Sequence, residues 1–219
     1  MRIHEVVLPA RDLDAVARFY RDVLELEVTE ISDRVTVRIG WTTVVFEPGE
    51  YAGAHHLAIT IPTGTFAEAK AWIADRAELL DRDGVDEFEG PPGWESRSVY
   101  FDGPEGQVLE LIERRMLPGD PAASFALSYV SEVGVAVPDA VVAAAQLADA
   151  GLEPFANPPA PGFAPVGTDE GMLILVTAGR AWLPTADRLA EPAPVTIRGA
   201  DVAAPVTLGE GQRLLPLGA

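Results

Sequence analysis

Three stretches of this chain repeat one pattern of hydrophobic and polar positions. Glu5-Val-Val-Leu-Pro-Ala-Arg-Asp12 precedes LDAVARFYRDVL, His56-Leu-Ala-Ile-Thr-Ile-Pro-Thr63 precedes GTFAEAKAWIADRAELL, and Glu132-Val-Gly-Val-Ala-Val-Pro-Asp139 precedes AVVAAAQLADAGL. Each opens on a polar residue and alternates as a strand does. Each then reaches a capping-type Asp or Thr and continues with helical spacing. In the second stretch Gly64 and Thr65 intervene, so the helix cap there can fall later than Thr63. Short β-type runs follow each helix: Leu26 to Thr29, Val35 to Ile39 and Thr42 to Phe46; Val85 to Phe88, Ser96 to Phe101 and Gln107 to Ile112; Glu153 to Phe155, Ala164 to Gly167 and Met172 to Thr177. Gly and Pro punctuate the joins, as hairpin turns require. The pattern predicts an α+β chain of repeated βαβββ modules.

The closing strands repeat as well. Glu105-Gly-Gln-Val-Leu-Glu110 parallels Glu170-Gly-Met-Leu-Ile-Leu175 and Glu210-Gly-Gln-Arg-Leu-Leu215, which implies a fourth module reduced to strands. The expected division is a domain over 1–116 (modules 1–50 and 54–115), a linker over 117–127, and a degenerate half over 128–219. That half comprises a module at 128–178 and a helix-less one at 192–219. The missing helix would leave sheet surface for another module or subunit to cover, which suggests a homodimer.

Alternation also sorts the faces. Counting the opening polar residue as position zero, the odd positions are Val6, Leu8 and Ala10; Leu57, Ile59 and Ile61; Val133, Val135 and Val137, all apolar. That face packs under the helices. The even positions mix ionisable, small and hydroxyl residues: Glu5, Val7 and Pro9; His56, Ala58 and Thr60; Glu132, Gly134 and Ala136. Such a face suits a cavity wall. In the closing strand of the second module Glu110 shares a face with Val108 and Ile112. Burying that carboxylate is costly unless a metal, an arginine or a ligand pairs with it. Exposure at a sheet edge would also remove the cost.

Composition narrows the possibilities. The net charge of -18, from 34 acidic against 16 basic residues, argues against a nucleic-acid partner. With no cysteine, disulfides, thiolate metal sites and Cys nucleophiles are excluded. The start lacks the apolar stretch of a signal peptide and no run reaches membrane-spanning length, so a cytoplasmic protein without membrane contact is expected. Neither a phosphate-binding glycine loop nor a nucleophile elbow is present.

The stretches VVLPARDLDAVARFYRDVLELEV, HHLAITIPTGTFAEAKAWI and RSVYFDGPEGQVLELIE resemble the vicinal-oxygen-chelate superfamily of glyoxalase I, extradiol dioxygenases and bleomycin- and fosfomycin-resistance proteins. The resemblance covers residues 1 to 115 well, 128 to 177 in register, and fades after that. It implies that two modules curl into one U-shaped barrel around a site, with metal ligands from first strands and closing strands, often His, His and Glu. Carried over, these positions fall on Glu5, His56 and Glu110, with Val44 at a fourth. Glu5 replaces the usual His but remains a competent ligand, and one His with two carboxylates suits Mn, Fe, Ni, Zn or Mg. A one-residue slip would put His4 in place of Glu5, at the cost of turning Val6 and Leu8 to the cavity. His55, one residue before position zero, faces away. Tyr100, Ser98 and Trp94 precede the closing hairpin, where one face should line the cavity.

In the second half the same positions give Glu132, Leu175 and Leu215, and a lone carboxylate holds no metal; that half is expected to serve packing, dimerisation or an apolar ligand. The expected function is metal-dependent isomerase or lyase chemistry on a small oxygenated metabolite, with Glu5 and Glu110 as metal ligands and a released carboxylate as general base. Dioxygenation fits less well, because the facial pattern of two His and one carboxylate is missing. The alternative is a non-catalytic drug- or metabolite-binding protein of the bleomycin-resistance type.

Overall fold

The computed structural model describes residues 1–119 and 124–218; part of the expected linker, 120–123, lies outside the described residues. The first stretch forms β1 (Arg2–Ala10), helix α1 (Leu13–Arg18) running into a π-helical turn over Phe19–Val23, then β2 (Glu27–Ile31), β3 (Arg34–Ile39) and β4 (Thr42–Pro48). The second forms β5 (His56–Ile61), α2 (Phe66–Ala74), the short β6 (Leu79–Leu80) and β7 (Phe88–Glu89), then β8 (Ser96–Asp102) and β9 (Val108–Arg114). The third gives β10 (Tyr129–Val137), α3 (Ala140–Asp149), β11 (Phe163–Thr168) and β12 (Gly171–Thr177). The last stretch is strands alone: β13 (Val195–Ala200), β14 (Val206–Gly209) and β15 (Gln212–Pro216). The expected strand over Glu153 to Phe155 is only a single bridge from Pro154 to Val166.

Helix starts follow the capping logic. Asp12 accepts from the Ala15 amide, and Asp139 from those of Val141 and Val142. In the second stretch the cap falls on Thr65, whose hydroxyl donates to the Pro62 carbonyl.

The nine odd-position residues all lie in one continuous core and are at most 2% exposed. The strand partners, however, differ from the arrangement expected. Instead of joining the first and second stretches, one sheet runs β14-β15-β13-β1-β4-β3-β2 and the other β11-β12-β10-β5-β9-β8-β6, with β7 on β8. Thus β1 takes β13 as its antiparallel neighbour, while β5 takes β10. Parity along a strand is local and survives any choice of partner, whereas the partner itself is chosen through space.

One determinant of the β5–β10 pairing is visible at Gly134. A Cβ there would lie 2.9 Å from the His56 Cβ and 2.5 Å from the Trp182 ring, so only glycine admits both side chains. The surface that a missing helix was expected to leave for another subunit is covered within the chain, since Val195, Ile197 and Leu214 are buried in the shared core. No helix among the described residues is long and apolar enough to cross a membrane.

Candidate metal and substrate site

The even positions of β5 and β10 meet those of β8 and β9 inside the second sheet. His56 opens β5, Glu110 lies across from Ala58 in β9, and Glu132 lies across from Ala58 on the other side, in β10. Their ligand atoms all fall within 4.8 Å of one another, and all three side chains are buried. His56 Nε2 stands 3.5 Å from Glu110 Oε2 and 3.9 Å from Glu132 Oε2. Ligand bonds of about 2.1 Å at a tetrahedral angle place donors roughly 3.4 Å apart, so a small contraction would bring these atoms around one divalent ion.

Neighbouring groups orient each ligand. His56 Nδ1 lies 3.0 Å from the Val108 carbonyl oxygen, which requires it to donate its N–H there. Nε2 is left facing the carboxylates, holding either a proton or a lone pair for a metal. The Trp182 ring stacks on the imidazole at 5.1 Å, and its Nε1 donates to the Ala54 carbonyl at 2.8 Å. Arg114, with no exposed side-chain surface, donates through Nη2 to Glu132 Oε1, which leaves Oε2 toward His56.

The electrostatics follow from this crowding. Burial, reinforced by the Glu132 charge, pushes the Glu110 carboxyl up; His56, Ser98 and Arg114 only partly offset it. Burial would also raise Glu132, but Arg114 and His56 outweigh it and hold that group below its usual range. For His56 burial acts to lower, and the facing Glu132 and Glu110 carboxylates reverse the sign and raise it. Two buried carboxylates against one buried arginine leave an excess of one negative charge, which a proton on Nε2 would cancel and a divalent cation in its place would more than offset. The donor set thus fits a hard or borderline divalent ion.

Above this floor is a cavity of about 360 Å³. Ser96, Ser98 and Tyr100 of β8 line it, as do Trp94, Phe88, Phe163, Ile174 and Trp182, so the expectation that one face near Trp94, Ser98 and Tyr100 meets a cavity agrees with the structure.

Glu5 is placed elsewhere. It faces β13 in the other sheet and pairs with Arg198, Oε1 to Nε at 3.0 Å, with 36% of its side chain exposed. Its place beside His56 and Glu110 is taken by Glu132, the residue at the same position of the third stretch. The third stretch, expected to have lost its site, therefore contributes to it, because β10 rather than β1 lies beside β5. Neither His4 nor His55 joins the group. His55 stacks on Tyr51, its Nε2 is 3.3 Å from the Pro9 carbonyl oxygen, and burial lowers it to about 4.

The closing-strand positions shift by one residue. Val45, across from Val7, occupies the place in β4 that Glu110 has in β9, whereas Val44 is core. In β12 that place belongs to Ile174, across from Gly134, not to Leu175. The extra turn over Pro104–Gly106, with Glu105 at φ 58° and Gly106 at φ 77°, offsets β9 relative to its counterparts.

Fold and site together define a class: mixed α+β proteins whose curled sheets enclose a small-molecule cavity over an imidazole–carboxylate floor. The chain belongs to the Glyoxalase/Bleomycin resistance protein/Dioxygenase superfamily, whose family model matches residues 2–191. Among solved structures it is similar to a Bacillus subtilis protein named as a candidate dioxygenase, at 17% identity and TM-score 0.56, covering 92% of this chain and 71% of that one. It is similar also to Zea mays glyoxalase I, at 16% identity and TM-score 0.56, covering 90% of this chain and 74% of that one. At these identities the likeness establishes the fold. Comparison with curated proteins gives no match.

Proposed function

We propose that this protein is a metal-dependent enzyme of isomerase or lyase type acting on a small oxygenated metabolite, with His56, Glu110 and Glu132 as the metal ligands. The observation that carries the reading is the convergence of one imidazole Nε2 and two carboxylates, within 4.8 Å, beneath a cavity large enough for a small molecule. A divalent ion bound there supplies Lewis-acid polarisation of two neighbouring substrate oxygens. Glu110 is the group to accept and return a proton at the substrate carbon beside those oxygens, since its carboxylate, unlike that of Glu132, is not held by an arginine. Trp94, Phe163 and Trp182 exclude water from the bound substrate. One imidazole with two carboxylates departs from the facial pattern of non-haem iron oxygenases, and dioxygenation is disfavoured on that ground.

A second reading, ligand sequestration without catalysis, draws on the Arg114–Glu132 pair, which already neutralises one carboxylate without a metal. Metal analysis of protein purified without chelator separates the two. Near one ion per chain, lost in His56→Ala, Glu110→Ala and Glu132→Ala but retained in Glu5→Ala, supports the enzyme. Trp182, stacked on His56, adds a readout independent of turnover, because Ni or Mn bound at Nε2 should quench its fluorescence. No ion bound after loading with Mn, Fe, Ni or Zn refutes the metal site and leaves sequestration.

A further inference from the structure

The cavity is electrically polarised. Its floor holds Glu110 and Glu132, while Arg82 and Arg180 line it as exposed residues near its mouth. In an acidic chain most arginines find a carboxylate. These two do not: among the described residues neither has an acidic partner. Arg82 Nε donates to the Pro184 carbonyl at 3.2 Å, and Arg180 Nη1 to the Gly162 carbonyl at 2.8 Å. Each guanidinium is thus tethered by backbone at one nitrogen and keeps its remaining donors for something else. Arg180 also lies over the Phe163 ring, 5.2 Å from its centroid, which fixes it against the cavity wall. A carboxylate that also lines the cavity as an exposed residue, Glu89, is engaged by Arg115.

Between floor and mouth the walls are aromatic. Trp94 approaches Phe163 at 6.4 Å with the rings inclined by 29°, Phe88 stands edge-on to Tyr100, and Trp182 lies on His56. Flat faces of this kind favour a flat, unsaturated body.

We infer that the substrate is a planar, unsaturated compound bearing a carboxylate at the end remote from its metal-binding oxygens, and that Arg82 and Arg180 read that carboxylate. The inference rests on the cavity being the substrate site of the proposed function. The polarity decides the orientation: an anionic group at the floor would meet two carboxylates, whereas at the mouth it meets two cations with free donors.

The test is calorimetric binding of cinnamate and its neutral isostere cinnamamide, to the protein as purified and after chelator treatment. Chelator removes any metal that could itself attract the carboxylate. Cinnamate should bind about tenfold more tightly than cinnamamide, and this preference should weaken at high salt. The double substitution Arg82→Gln/Arg180→Gln, at exposed positions where circular dichroism can verify folding, should bring the two affinities together without changing metal content or Trp182 quenching. Equal affinities in the native protein, a preference that survives the double substitution, or no binding of either compound overturns the inference. Metal content is measured in the same samples. A metal-free protein with an arginine-dependent cinnamate preference would sink the proposed chemistry alone.

Discussion

Glu132→Gln tests the site most directly, because Glu132 has two separable duties. It offers Oε2 to the His56–Glu110 pair and holds Arg114 through Oε1. Arg114 has no exposed side-chain surface and its nearest other carboxylate, Asp169, is 3.8 Å away. Removing the anionic partner of a buried charge costs about 3–5 kcal/mol. The Gln amide oxygen still accepts one bond, so a loss of roughly 2–4 kcal/mol is expected. For a chain of this size that corresponds to a fall of roughly 5–15 °C in Tm, measured in chelator. Metal affinity should fall at least about 100-fold, since a direct ligand is lost where even outer contacts cost 10–100-fold. A second substitution separates the duties. Arg114→Met added to Glu132→Gln removes the stranded charge, so stability should return to within about 1–2 kcal/mol of the native protein while metal affinity stays low. Glu5→Gln is the control. Its pairing with Arg198 is a part-exposed ion pair worth at most about 1 kcal/mol, and metal affinity should be unchanged. Native metal affinity in Glu132→Gln, or its loss in Glu5→Gln, would refute the convergence described above.

Other substitutions probe the supports of the site. Gly134→Ala should destabilise by about 1–3 kcal/mol and weaken metal binding, because the new methyl meets both His56 and Trp182; thermal unfolding and metal titration check it. Trp182→Phe should keep the metal, by elemental analysis, yet abolish most of the fluorescence quenching by Ni, leaving only the weaker response of more distant tryptophans. Tyr20→Phe removes a buried hydrogen bond from the Tyr20 hydroxyl to Gln107 Oε1 and should cost roughly 1–2 kcal/mol in denaturant unfolding with metal content unaltered.

Strand parity was readable from the sequence because it depends only on each strand's own alternation. His56 and Glu110 were reachable by that route, and Glu132 carried the same signal at position zero of the third stretch. Its own closing strand offers no carboxylate, which discounts it only if a module supplies its own partners. Arg114 was equally visible as the residue four places beyond Glu110 on the same strand face, and an arginine was among the groups able to satisfy a buried carboxylate. Trp182 had no such signal, since it lies in a stretch without periodicity that reaches the site only through the fold.

What distinguishes the sheet with the site from the sheet without it is less the ionisable residue at position zero than its neighbours two places on. Around His56 these are Ala58 and Gly134, small enough to let three ionisable side chains and an indole ring share one buried volume. Beside Glu5 the place of Ala58 holds Val7, and the place of Gly134, across from the opener, holds Arg198; the face is only half-covered there, so Glu5 meets Arg198 with water at hand. A buried polar cluster needs room before it needs charge, because each group must reach its partner without leaving a void or a clash. Small residues at even positions, next to an ionisable opener, therefore locate a metal-competent curl in such a chain better than the opener alone.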